Sequence, residues 1–313
     1  MTDQPKVLIA DKMSPDAETI LRDRGVAVDV ITGLDPADLF ETLGAYDGLL
    51  IRSTTKVDAA ALDAAICLQV IGRAGIGVDN VDVGAATARG VVVMNTPFGN
   101  AVTTAEHAIA MMMALARQIP SADRSMRDGK WEKSRFVGME LAGKTLGLVG
   151  CGNIGSIVAT RAQGLRMKVV VADPFLSDER ALELGVEKLD LPDLMRRADV
   201  ISVHAPLNDA TRGFVGAEEL ALARPGLRVV NCARGGIVEE SALHDALVSG
   251  HVAGAALDVF ASEPATENIL FGMDNVIATP HLGASTLEAQ EKVALQVAEQ
   301  LSLIHISEPT RPY

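Results

Sequence analysis

Val149-Gly150-Cys151-Gly152-Asn153-Ile154-Gly155-Ser156 stands between an apolar run at 145–149 and a run of helical character, and the next apolar run, 168–172, closes on Asp173. Strand, glycine turn, helix, strand and acid in that order form a unit that grips a dinucleotide. Gly150 permits the tight turn, Gly152 lets the backbone approach a pyrophosphate, and Gly155 lets the helix pack closely on the strand. N–H groups at the helix start, around Asn153 and Ile154, then face the pyrophosphate where the helix dipole is positive. Asp173 points to NAD, because a carboxylate there accepts bonds from ribose hydroxyls and repels a 2′-phosphate. The next arginine, Arg180, is too late in the chain to neutralise one at once. The alternative is that Asp173-Pro174 starts an ordinary turn.

Outward from this loop, short β-branched runs alternate with helical ones. Towards the N-terminus the pattern predicts strands at 7–10, 26–31, 48–51, 70–72 and 91–94, with helices at 16–24, 36–43, 58–64 and 83–89. A long helical region, 103–118 and 122–129, precedes a second series with strands starting at 145, 168, 200, 227, 254 and 276. Such βαβ repetition gives parallel sheets with helices on both faces. The expected fold class is α/β, two doubly wound parallel-sheet lobes, with a Rossmann NAD-binding domain (99–282) inserted in a flavodoxin-like substrate domain (1–98). The helical run at 286–300 is expected to return to the first lobe, within a segment 283–301. From 302 to 313 two prolines and no helical period suggest a disordered or non-native tail.

At 313 residues the chain exceeds one ordinary domain. Only 3% of residues are aromatic, which suits closely packed helices on parallel sheets. A net charge of −13 argues against nucleic acid, whose phosphates need a basic face. Cys67, Cys151 and Cys232 show neither disulfide nor metal spacing, and no metal is expected. No apolar run is long enough to span a bilayer, and the N-terminus lacks signal-peptide character, so a soluble cytoplasmic protein is expected.

Three polar loops follow later strands of the second series, where an open α/β sheet presents its ligand crevice. Asn231-Cys232-Ala233-Arg234-Gly235-Gly236 places Arg234 to clamp a carboxylate through its planar fork. Ala261-Ser262-Glu263-Pro264 and Thr279-Pro280-His281-Leu282-Gly283 supply a proton carrier, His281, and an acid, Glu263, to favour its imidazolium form and fix its tautomer. Singly, each residue reads as well as a turn or surface group. Together they supply an anion clamp, a proton carrier and its orienter, which carbonyl reduction beside a nicotinamide needs. His204-Ala205-Pro206 ends another strand at this edge and lines the cofactor pocket. His204 competes with His281 as proton carrier but has no acid in its own loop. His107 reads as structural.

At this point the chain resembles the D-isomer-specific 2-hydroxyacid dehydrogenases over about residues 4 to 301. The resemblance rests on Ile51-Arg52-Ser53, Gly72-Arg73-Ala74-Gly75-Ile76-Gly77-Val78-Asp79, the glycine loop, the Arg234 loop, Ala256-Leu257-Asp258-Val259-Phe260 and the His281 loop. It implies catalytic Arg234, Glu263 and His281, a nicotinamide contact at Asp258, a ribose contact at Asp173, and a cofactor pocket shared by His204, Pro206, Cys232, His281 and Gly283. Within the family it implies 3-phosphoglycerate as substrate, oxidised at C2 to 3-phosphohydroxypyruvate on the phosphorylated route to serine, with Arg52, Ser53, Arg73, Gly75 and Asn100 holding it. Arg135, after the helical region family members use for dimer contact, reaches either the other subunit's site or only solvent. A homodimer or larger homo-oligomer is expected. The chain stops soon after Gln300, short of the regulatory domains many members carry, and reads as a truncated catalytic core. Left open are a relative acting on glyoxylate, hydroxypyruvate or D-lactate, and an NAD-sensing interaction protein on the same fold.

Overall fold

The computed structural model describes residues 4–302. Contacts divide the chain into two compact units, one running to Ala101 and resuming at Ala284, the other Val102–Gly283.

In the first unit the elements are β1 (Lys6–Ile9), α1 (Asp16–Asp23), β2 (Ala27–Val30), α2 (Pro36–Leu43), β3 (Gly48–Ile51), α3 (Ala59–Ala64), β4 (Val70–Arg73), α4 (Val83–Ala88) and β5 (Val92–Asn95). All pairings are parallel, in the order β2-β1-β3-β4-β5. Successive side chains of a strand point to opposite faces, so a strand buried on both sides must be apolar throughout. β3 is such a strand: Leu49 and Ile51 join Leu39, Leu43 and Leu62 on one face, and Leu50 joins Leu21, Val293 and Val297 on the other. Asp35, Asp58 and Asp82 each accept the backbone N–H three residues on and so start α2, α3 and α4.

The second unit carries α5 (Ala101–Arg117), α6 (Ile119–Arg127), β6 (Thr145–Val149), α7 (Asn153–Gly164), β7 (Lys168–Ala172), α8 (Asp178–Leu184), β8 (Glu187–Lys188), α9 (Leu191–Arg197), β9 (Val200–Val203), α10 (Ala217–Leu222), β10 (Leu227–Asn231), α11 (Glu240–Val248), β11 (Val252–Leu257) and β12 (Val276–Ala278). The order β12-β11-β10-β9-β6-β7-β8 is parallel throughout. The chain leaves β6 in one direction and returns beside it as β9. Ligands of such sheets sit outside the strand carboxyl ends at that reversal. One more helix, α12 (Leu287–Gln300), closes the first unit by laying Val293, Ala294, Val297 and Ala298 against Ala17 and Leu21.

Three details differ from the sequence reading. The large sheet has seven strands rather than six. β8 is two polar residues, Glu187 and Lys188, whose only signature is pairing with Val170 and Val171. α10 spans six residues and was not read, since its start is organised by the Glu219 side chain accepting the Gly216 N–H at 3.1 Å. The strand expected to start at 254 spans Val252–Leu257, and beyond it Asp258 turns its buried carboxylate into the loops rather than continuing the ladder. Of the expected tail, Ser302 is buried and accepts a 2.7 Å bond from Arg24, so it belongs to the folded part; residues 303–313 lie outside the described residues.

Candidate active site

β6 delivers the chain into the glycine loop, where Gly150 has φ +94, a conformation open chiefly to glycine. A Cβ on Gly150 would stand 2.9 Å from backbone atoms of His204 and Ala205, and one on Gly155 would stand 2.5 Å from the Gly150 carbonyl oxygen. These two glycines let β6, α7 and the end of β9 meet. Gly152 is different: a Cβ there meets nothing within 4 Å, the residue is exposed, and no side chain caps α7. The loop is thus tight where it touches protein and open where a pyrophosphate would lie on the helix start beside Asn153 and Ile154, which fits a dinucleotide. Asp173 accepts the Cys151 N–H at 2.7 Å with one oxygen and the Phe175 N–H at 2.8 Å with the other, so it braces this loop itself. It remains partly exposed, and each oxygen keeps a second acceptor position for a ribose hydroxyl.

Among the described residues His204 meets no carboxylate. Its Nε2 lies 2.9 Å from the Ser202 hydroxyl, and burial pushes its pKa down to about 4, which keeps it neutral. It stands, with Ala205, beside Gly150 and Gly155, and Pro206 after them is exposed.

The loops after β10, β11 and β12 are knitted together. Buried Asn231 accepts the Ala233 N–H and donates to the Arg234 carbonyl, which sets the first loop. A side chain at Gly235 would collide with the Phe260 backbone, so this glycine lets the first loop lie on the second. In the second, Glu263 accepts the Phe260 N–H at 3.0 Å and, with its other oxygen, meets His281 Nδ1 at 2.7 Å. Burial alone would raise the Glu263 carboxyl, but the bonds from His281 and Phe260 and the nearby Arg234 charge outweigh it and hold it below its ordinary 4.5. The structure therefore brings Glu263 and His281 into contact and places Arg234 within their electrostatic reach.

Asp258, the expected nicotinamide contact, is tied into the His281 loop. Its side chain is fully buried and accepts from the Thr279 hydroxyl (2.6 Å), Leu282 N–H (2.7 Å) and Gly283 N–H (2.7 Å), with His107 Nε2 at 3.3 Å. Those donors fix the shape of the His281 loop. His281 itself has φ +54, a conformation a non-glycine residue holds only when its surroundings impose it. The imposition comes from Asp258 on either side: its carbonyl accepts the His281 N–H at 2.9 Å. Neither His107 nor Thr279 stood out as a site residue in the sequence, because their partner lies over 150 and over 20 positions away.

His107, Cys232 and Asp258 offer three ligand atoms within 4.8 Å of one another. The set does not suit a cation. Asp258 already faces N–H and O–H donors, and burial, then the Asp258 charge, pushes the Cys232 thiol far up and keeps it protonated.

In the first unit, Arg52 and Ser53 follow β3 and Arg73 ends β4. Gly75, at φ +151, leaves the space that the Arg73 guanidinium occupies. Asn100 is buried just ahead of α5. Arg135 is engaged within its own chain, pairing with Glu132 (3.1 Å) and Asp274 (3.0 Å) over the Phe136 ring.

A sequence profile described as D-isomer specific 2-hydroxyacid dehydrogenase, NAD binding domain, matches residues 109–283. The chain belongs to this family. Its second unit is accordingly an NAD-binding domain, in keeping with the glycine cradle. D-3-phosphoglycerate dehydrogenase of Archaeoglobus fulgidus is 48% identical over 95% of the chain, and that of Homo sapiens 50% identical over 94%. The chain spans about half the length of these curated relatives, 56% and 55%. A solved glyoxylate reductase of Paecilomyes thermophila superposes with TM-score 0.88 at 31% identity, covering 96% of this chain and 95% of that one. Family membership thus comes with more than one substrate among its neighbours.

Proposed function

We propose that the chain is the catalytic part of an NAD-dependent dehydrogenase that oxidises 3-phospho-D-glycerate to 3-phosphohydroxypyruvate in the phosphorylated route to serine. The observation that carries the reaction is the 2.7 Å bond between Glu263 and His281 Nδ1. With Nδ1 held by an ionised carboxylate, Nε2 is the atom left to take the proton of a C2 hydroxyl. Glu263, kept ionised, stabilises the imidazolium that results, and Arg234 offers its fork to the substrate carboxylate. NAD, when bound, would supply the hydride acceptor for C2; Gly150, Gly152 and Gly155 would shape its cradle, and Asp173 would meet the adenosine ribose.

The phosphorylated substrate is supported by the curated relatives at about half identity and by Arg52, Ser53 and Arg73 at the carboxyl ends of β3 and β4. The discriminating assay is NADH oxidation with 3-phosphohydroxypyruvate against hydroxypyruvate. Wild type is expected to favour the phosphorylated acid, and Arg52→Ala to lose affinity for it far more than for hydroxypyruvate. Equal losses would sink the phosphate assignment and leave a glyoxylate or hydroxypyruvate reductase, as the likeness to the Paecilomyes enzyme allows.

A homodimer or larger homo-oligomer is proposed on the strength of the α5–α6 region, where Ile119, Met126, Trp131 and Val137 are exposed, Trp131 at 80%. Free thiols at Cys67, Cys151 and Cys232 support a reducing compartment, the cytoplasm. Among the described residues no helix is long and apolar enough to cross a membrane.

A further inference from the structure

The first sheet has its own reversal point, between β1 and β3, and two loops leave it there: one opens with Asp11, the other with Arg52. Asp11 is 5% exposed, yet among the described residues no salt bridge involves it. Its carboxylate instead accepts the Arg52 N–H at 2.6 Å, the Thr55 N–H at 3.2 Å and the Thr55 hydroxyl at 2.9 Å. From the opposite side Asn80 donates its amide to the Arg52 carbonyl at 2.7 Å and the Thr55 carbonyl at 2.6 Å. Asn80 is itself anchored, since its carbonyl accepts the Val57 N–H at 2.8 Å where 57 and 81 form a parallel bridge.

Both ends of the four-residue turn 52–55 are therefore clamped through backbone donor and acceptor alike. Its middle is left exposed at Ser53 and Thr54, beside the cations Arg52 and Lys56, and Arg52 donates to the Lys12 carbonyl at 3.3 Å. In a chain of net charge −13, this is a local inversion suited to an anion. An aspartate beside an anion site would ordinarily repel the ligand, but here three donors are spent on its charge.

We propose that Asp11, with Asn80 as its counterpart, is the positioning residue that gives the 52–55 turn its grip on the substrate phosphate. The inference rests on the phosphorylated-substrate reading. Asp11 touches no substrate; it fixes the turn that does. Loosening such a turn weakens hydrogen bonds to a charged group, each worth roughly 10- to 100-fold in affinity.

The test compares KM and kcat for 3-phosphohydroxypyruvate and hydroxypyruvate in wild type, Arg52→Ala, Asp11→Ala, Asp11→Asn and Asn80→Ala, each checked for a folded melting transition and NADH affinity. Asp11→Ala and Asn80→Ala are expected to raise KM for the phosphorylated acid about 10- to 100-fold, leaving its kcat and the hydroxypyruvate KM within a few-fold. Asp11→Asn should retain most of the affinity, because it can keep its oxygen on both N–H groups and turn its amide towards the Thr55 hydroxyl. If Arg52→Ala loses phosphate preference while Asp11→Ala and Asn80→Ala keep it, the positioning role is overturned and the phosphate reading stands. If wild type shows no preference, both fall. Should Asp11→Ala fail to fold, Asn80→Ala and Asp11→Asn decide the matter in the same way.

Discussion

At the residue scale the chemistry turns on a histidine held by an acid and a loop held by another. His281→Asn is expected to lower kcat by about 10²- to 10⁴-fold and NADH affinity far less than kcat, measured by steady-state turnover and fluorescence titration. Asp258 gives a second, separable expectation. Burial alone would raise its carboxyl, but the donors from His107, Thr279 and Leu282 outweigh that and hold it below its ordinary 3.8. A depressed folded pKa means stability that is present above the ordinary value and is lost as pH falls through the folded one. Asp258→Asn should therefore cost about 3–5 kcal/mol at neutral pH, since it sets an amide against buried donors, and flatten the acid limb of the melting-temperature profile below about pH 4. Arg234, Glu263 and His281 were legible in the sequence because each follows an apolar strand by a few positions. The loop-building role of Asp258 was not, because its donors come from α5 and from beyond β12 and become neighbours only in the folded sheet.

At the element scale the glycine loop makes contrasting expectations for two of its own residues. Gly155→Ala would drive a methyl into the Gly150 carbonyl, so both melting temperature and NADH affinity should fall. Gly152→Ala enters open space and should leave the apo protein's melting temperature within about a degree or two while weakening NADH at least about tenfold, because the open side is where the pyrophosphate approaches. Equal effects of the two substitutions would contradict the division of labour drawn here. β6 and β7 were legible to the residue because each is an apolar run stopped by Gly150 or Asp173, and α2 because Asp35-Pro36 opens it and Gly44 follows it. β8 and α10 were not. A two-residue polar strand and a six-residue helix carry no period of their own, and tertiary pairing makes them.

At the scale of the whole molecule, two compact units in one chain argue against simple two-state melting. Calorimetry should resolve a transition that NADH raises, assigned to the unit carrying the glycine loop, with about 2.7 kcal/mol of added stability at 100 times Kd. The other transition should move less. Trp131→Glu is expected to shift the mass measured by light scattering towards the monomer if the exposed α5–α6 residues are a contact surface; an unchanged mass would rule out that surface. The alternation of strands and helices made both sheets readable from the chain, and the mid-chain glycine loop implied that residues before it form a unit of their own. What sequence did not carry is how the 52–55 turn is clamped, because Asp11 and Asn80 reach it from 41 and 28 positions away.

The central claim is hydride transfer from C2 of a phosphorylated hydroxy acid with His281 as proton acceptor. It is tested most directly by incubating the protein with NAD and C2-deuterated 3-phosphoglycerate and examining the recovered NADH by mass spectrometry. The expected result is one deuterium per NADH, with an equal amount of 3-phosphohydroxypyruvate. Tight NAD binding with no labelled NADH formed would contradict it.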